Sequence, residues 1–217
     1  MKTFTITKFG RALVLAGVAA VSAVCWVGCG GDDNNPANNN GNNNGNNNNN
    51  NGGGTVPIEK WMKKNLDVLT DRSWCYDGSL DSCAKYGRLY TWWAAKTACQ
   101  SVGMRLPTNA EWDALVTAAG GSSIAGKKLK SKSGWNRNDG DVNGNGTDDF
   151  GFSALPGGSR YYNGNFNGAG NEGGWWSATD TGNHAYRKYF MNRGDEVSTH
   201  SNINDTDMAI SARCIKD

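Results

Sequence analysis

Residues 34–54 read NNPANNNGNNNGNNNNNNGGG. No side chain in that stretch is larger and more apolar than Ala37 or Pro36, so nothing there offsets the entropy of ordering the chain. A core must therefore be assembled from residues beyond the tract, which divides the chain in three. Residues 1–28 form a leader, residues 29–57 a predicted disordered tether, and residues 58–217 a single predicted domain near the commonest domain size. A flexible spacer of this length has a root-mean-square reach of roughly 30 Å.

The leader has a basic start (Lys2, Lys8, Arg11) and an apolar run from Ala12 to Val27. That run is short and rich in alanine and glycine, which fits a signal peptide better than a membrane span. It ends in WVGC, which resembles a bacterial lipobox. The expected mature N-terminus is Cys29, lipidated and inserted in the outer membrane at the cell surface. Cys25, preceded by SAV, is the weaker alternative. Asp32 and Asp33, just after Cys29, resemble a surface-export signal of some Gram-negative lineages. Losing the leader's three basic residues leaves 19 of 22 against 20 acidic residues, a net charge of −1. No basic field remains for a nucleic acid to read.

RLPTNAEW (105–112) writes a helix start with care. Pro107 biases Leu106 toward extended backbone. Thr108 is an N-cap, with Glu111 as its capping-box partner. Trp112, Leu115, Val116 and Ala119 follow at helical spacing, and Gly120-Gly121 stop the helix. A helical pattern also covers about 91–102. Strands are expected near 58–66, over 186–191 and 196–199 around a turn at 192–195, and over 208–214. The Gly/Asn/Asp-rich stretch between 130 and 174 is punctuated by Trp135, Phe150, Phe152, Tyr161, Tyr162 and Phe166, which suits a loop system that packs.

Four cysteines lie in the exported domain: Cys75, Cys83, Cys99 and Cys214. An even number in an oxidising compartment implies two disulfides, with three pairings open. Proximity around a turn-like YDGSLDS favours Cys75–Cys83, which would leave Cys99 with Cys214. The spacing does not suit a zinc site.

Several stretches together resemble the Fibrobacter succinogenes major paralogous domain: WMKKNL, YGRLYTWWAAKTAC, GMRLPTNAEWDAL, DDFGFSALPGGSR, WWSAT and the terminal SARCIKD. SVGMRLP departs from it, where a Cys-Pro-x-Gly-Trp-His pattern is common. The resemblance implies a secreted or lipid-anchored protein of fibre-associated bacteria. More remotely, RLPTNAEW and the Arg-Cys ending resemble the formylglycine-generating enzyme superfamily. This implies an α+β, C-type-lectin-like fold: two helices, a small irregular antiparallel sheet, long loops on one side, and a bridge from first helix to last strand.

No arrangement of nucleophile, base and acid stands out for catalysis. The segment 184–197 lacks the cysteine pair of the formylglycine-generating enzymes, Glu111 already has a capping role, and His184 and His200 suit ordinary surface positions. Eight of the nine tryptophans lie in the domain. Aromatic rings beside Asn and Asp can stack on sugar rings and bond their hydroxyls. The expected function is therefore non-catalytic binding of an extracellular polymer such as a plant glycan, with Trp135, Tyr161, Tyr162 and Phe166 as candidate contacts. A structural or protein-adhesion role is the alternative. No motif requires a cofactor. The loop DVNGNGTDD places Asp141, Asn143, Asn145 and Asp149 at the 1, 3, 5 and 9 offsets of a calcium loop, without the acidic residue at the twelfth.

Overall fold

The computed structural model describes residues 57–217 except Thr181, Asn183 and 202–206. The leader, Cys25, Cys29, Asp32, Asp33 and all of the tether but Pro57 lie outside the described residues. Those described fall within one compact unit and form an α+β fold.

Four helices are present among them: α1 (Leu80–Tyr86), α2 (Trp92–Ser101), α3 (Asn109–Ala118) and α4 (Ala125–Leu129). Helix α3 starts as its sequence dictates. The Thr108 hydroxyl accepts from the Glu111 amide, and the Glu111 carboxylate accepts from the Thr108 amide at 2.7 Å. Both are orphan amides of a helix N-terminus, so the box satisfies them reciprocally. At the other end, Gly120 and Gly121 donate back to the Thr117 and Val116 carbonyls and end the helix.

The main sheet has six strands in the order β1 (Ser73–Trp74), β2 (Leu89–Tyr90), β8 (Ile210–Ser211), β5 (Glu172–Asp180), β6 (Ala185–Met191), β7 (Val197–Ser201). Only the β5–β8 pair is parallel. β3 (Ser159–Arg160) and β4 (Phe166–Asn167) form a separate small hairpin.

Strand β5 divides the core. Trp175 and Trp176 are adjacent and both fully buried. Successive strand residues face opposite sides, so each ring enters a different cluster. Trp176 joins Tyr90, Trp92, Cys99 and Ile210 on one side. Trp175 joins Trp112, Phe152, Phe190 and Ile215 on the other. Strand β6 is likewise covered on both faces, with Tyr189 in the first cluster and Phe190 in the second. Its Lys188 is 1% exposed and donates to Asp113 and Thr199.

The strand expected near 58–66 is replaced by one 3-10 turn, Ile58–Lys60, and an extended run beside the C-terminus. Met62 donates to the Cys214 carbonyl and Leu66 to that of Ala212. Four residues thus span what two span opposite, and Lys63 and Lys64 bend out of any regular ladder.

Two disulfides are present, Cys75–Cys83 and Cys99–Cys214. The second joins α2 to the segment after β8 at the centre of the first core cluster.

Candidate functional site

Most of the tryptophans are consumed by the core. Trp92, Trp112, Trp135 and Trp176 donate their indole N–H to the backbone carbonyls of Ser177, Trp176, Ala154 and Tyr90. Trp175 donates to Asn65 Oδ1 at 2.9 Å. A buried indole needs such a partner, and a ring so fixed offers no face to a ligand. Trp135, expected to be a loop contact, belongs to this set: it is 4% exposed and lies in the second core cluster. Its loop folds inward because the ring supplies apolar area that the surrounding Asn and Gly cannot.

The other three aromatic candidates are brought together at the small hairpin. Tyr161 is 38% exposed and Tyr162 78%. The Tyr161 amide donates to the Asn165 carbonyl, and the Gly164 amide to the Tyr161 carbonyl, so the turn is internally closed. Phe166 returns down β4 and meets Tyr76, with ring centroids 5.3 Å apart. The Arg160 guanidinium lies 4.2 Å from the Trp74 ring and 5.9 Å from Phe166. Burial pushes the Tyr76 hydroxyl up, while its hydrogen bond to the Ala169 backbone opposes this.

Trp74, Tyr76, Asp77 and Arg160 complete this surface and were not among the sequence candidates. Their signal was the stretch SWCYDG around Cys75. The disulfide holds the Tyr76–Gly78 turn, in which Asp77 adopts a left-handed backbone, φ +50°. A non-glycine residue in that region is uncommon and often marks a functional loop. Gly158 makes the approach feasible: a Cβ there would stand 2.9 Å from Tyr76 Cε2 and 2.5 Å from the Asn167 carbonyl oxygen.

A cleft of about 550 Å³ opens beside the hairpin, lined by Asp77, Tyr161, Asn163, Asn165 and Phe166 among others. Asn167 lines it and also a second, polar cleft of about 260 Å³ that includes Arg137, Asn171, Glu172 and Arg193. Burial raises the Glu172 carboxyl above the usual range, partly offset by the Ser159 hydroxyl donating to it. The surface as a whole offers one aromatic wall and a row of amides able both to donate and to accept.

The residues suggested for calcium are engaged with partners in and around their own loop. Asn145 Oδ1 accepts the Trp135 amide and Asn143 Oδ1 the Asn145 amide, while Asp141 lies beside Arg137 at 3.3 Å. Asp149 is exposed, and its amide donates to the Lys128 carbonyl. These contacts shape the loop's own turns around Trp135. Among the described residues no group of three or more His, Cys, Asp or Glu could hold a metal ion.

Glu111 is held by Arg105 through two hydrogen bonds of 2.8 Å. The Arg105 guanidinium, ahead of the capping contacts, keeps its carboxyl below the ordinary carboxylate range. A carboxylate so engaged is a helix cap and an ion-pair partner, not a free acid or base. No helix among the described residues is long and apolar enough to cross a membrane.

The fold and this surface define an α+β, disulfide-closed module that presents an aromatic and amide-lined face on a small hairpin. Residues 42–216 match the Fibrobacter succinogenes major domain, and the chain belongs to that family. No curated protein and no solved structure matches it.

Proposed function

We propose that this chain is a lipid-anchored cell-surface protein whose domain binds an extracellular polysaccharide without transforming it. The observation that supports this best is the exposed Tyr161–Tyr162 pair on a closed hairpin beside an amide-lined cleft. Sugar rings offer C–H faces for stacking and hydroxyls for amides, and this surface supplies both. All four cysteines of the described residues are in disulfides, which speaks against a thiol mechanism of the formylglycine-generating kind. The preference for plant glycans rests on the family resemblance alone.

We also infer a C-type-lectin-like arrangement. It is supported by the helix-to-C-terminus disulfide, by the Trp61–Ile215 bridge joining the two ends of the domain, and by the long loops between α4 and β5.

The full chain should bind at least one of cellulose, xylan or pectin in pull-down. Tyr161→Ala should weaken that binding about tenfold, the value of one lost aromatic contact, with its thermal midpoint unchanged. Failure to bind any polymer would leave the protein-adhesion reading. The anchor is checked by fatty-acid labelling in a lipoprotein-competent host: Cys29→Ala should abolish incorporation and Cys25→Ala should not.

A further inference from the structure

A third cleft, away from the hairpin's own lining, has a different chemistry. It measures about 500 Å³ and lies between the extended run after Trp61, helix α1 and the loop around Ser153 and Leu155. That volume falls in the range of small-ligand sites. Its walls mix apolar and polar groups, as a sugar requires. Three lysines line it, Lys63, Lys64 and Lys85. None of the three has a carboxylate within ion-pair distance among the described residues. Asp67, the acidic residue of the lining, is paired with Arg88 at 3.3 Å. Lys85 lies over the Tyr86 ring, 4.7 Å from its centroid.

The cleft is built into the fold. Lys63 and Lys64 border it because the run after Trp61 takes four residues where its partner takes two. Helix α1 can close against Asn65 only because residue 87 is glycine: at φ +77° a Cβ would lie 2.7 Å from the Leu66 carbonyl oxygen. The Cys75–Cys83 bridge then holds α1 in place. Asn65 at the back is 6% exposed and its amide is fully engaged with Tyr86, Ser211, Trp175 and Arg213. Three stretches that carry the family resemblance, WMKKNL, YGRLY and FGFSALPGG, meet here.

We propose that this cleft is a second binding site, which takes the carboxylate-bearing sugar of an acidic polysaccharide. Three unneutralised lysines around a concave, partly apolar wall favour an anion carried on a ring, and a compact carboxylate can accept from more than one ammonium. The proposal rests on the polysaccharide reading for the ring and on this cleft for the charge.

Affinity electrophoresis of the full chain through gels containing polygalacturonate or neutral xylan tests it. The chain should be retarded by polygalacturonate, and free galacturonate should compete. The triple variant Lys63→Gln/Lys64→Gln/Lys85→Gln should lose at least about tenfold in affinity, as expected for removed charge-assisted bonds. Its behaviour in xylan should not change. Ala84→Trp fills the cleft from the exposed face of α1 without altering charge and should lose binding similarly. Retention of binding in either variant would overturn the proposal, the second by showing diffuse charge attraction only. Competition by sulfated heparin but not by galacturonate would overturn the carboxylate assignment. Loss of xylan binding in Tyr161→Ala reports on the hairpin alone. A chain that ignores cellulose and xylan, and whose polygalacturonate binding survives Tyr161→Ala yet needs the lysines, would sink the hairpin reading and leave this one standing.

Discussion

The two disulfides close regions of opposite character. Cys99–Cys214 spans 115 residues and is fully buried in the first core cluster, among Tyr90, Trp92 and Trp176. Cys75–Cys83 spans 8 residues at the rim. Its short loop carries Tyr76 and Asp77 toward the hairpin, and Cys83 itself lines the lysine cleft with Ala84 and Lys85. One bridge draws distant parts of the chain into a single core. The other fixes a few side chains that the core does not need. The difference teaches that stability and presentation are separable here.

Breaking each bridge tests that separation. In the chain-entropy picture a cross-link stabilises by restricting the unfolded chain, more for a longer loop. Cys99→Ala/Cys214→Ala should therefore cost about 4–5 kcal/mol, enough to unfold a domain of ordinary stability. Denaturant titration would show it as a large fall in midpoint. A loss smaller than that of the short bridge would break the comparison.

Cys75→Ala/Cys83→Ala should cost roughly 2–3 kcal/mol by the same model. The domain should remain folded. Polymer binding should nevertheless fall well beyond what the remaining folded fraction explains, because Tyr76, Asp77 and helix α1 lose their clip. Unchanged binding in a folded double variant would show that the rim needs no bridge to hold its shape.

How legible these regions were in the sequence obeys the same division. Local chemistry was readable: Thr108 and Glu111 determine the start of α3 within four residues, and the turn at 192–195 separates β6 from β7. Strand β5 was not, although it is the middle of the molecule. Its Gly173 and Gly174 look like strand breakers. Here they make room for rings: a Cβ on Gly173 would lie 2.5 Å from Trp175 Cη2, and one on Gly174 2.8 Å from Tyr189 Cε1. Both faces of β5 are buried, so no alternation of polarity marks it. Helix α1 was hidden by the turn residues of YDGSLDS, and Trp135 by its Asn-rich setting. At the rim, Tyr161, Tyr162 and Phe166 could be named from sequence, but Arg160 and Trp74 join them only through long-range pairing. Lys63 and Lys64 line the lysine cleft only through the mismatch between their run and the C-terminal segment, which no local pattern announces.

The smallest predicted effect lies within the rim. Glu172 is the half-buried carboxyl of the polar cleft, raised by desolvation and only partly relieved by Ser159. A carboxyl whose folded pKa lies above its unfolded value of about 4.3 binds its proton more tightly in the folded state. Its contribution is full below that unfolded value and is lost as the pH rises through the folded one. At neutral pH the ionised group thus costs stability, the reverse of a salt-bridged acid such as Glu111. Glu172→Gln keeps an acceptor for the Ser159 hydroxyl and removes the charge. It should raise the unfolding free energy at pH 7 by on the order of 0.5 kcal/mol, the scale of a mild substitution, read as a small rise in thermal midpoint. The gain should vanish near pH 4, where the native group is itself protonated. A midpoint that falls at pH 7 would show the carboxylate to be stabilising and would place this part of the rim with the core. A midpoint that rises while polymer binding weakens would show the group to be retained for the surface at the expense of the fold.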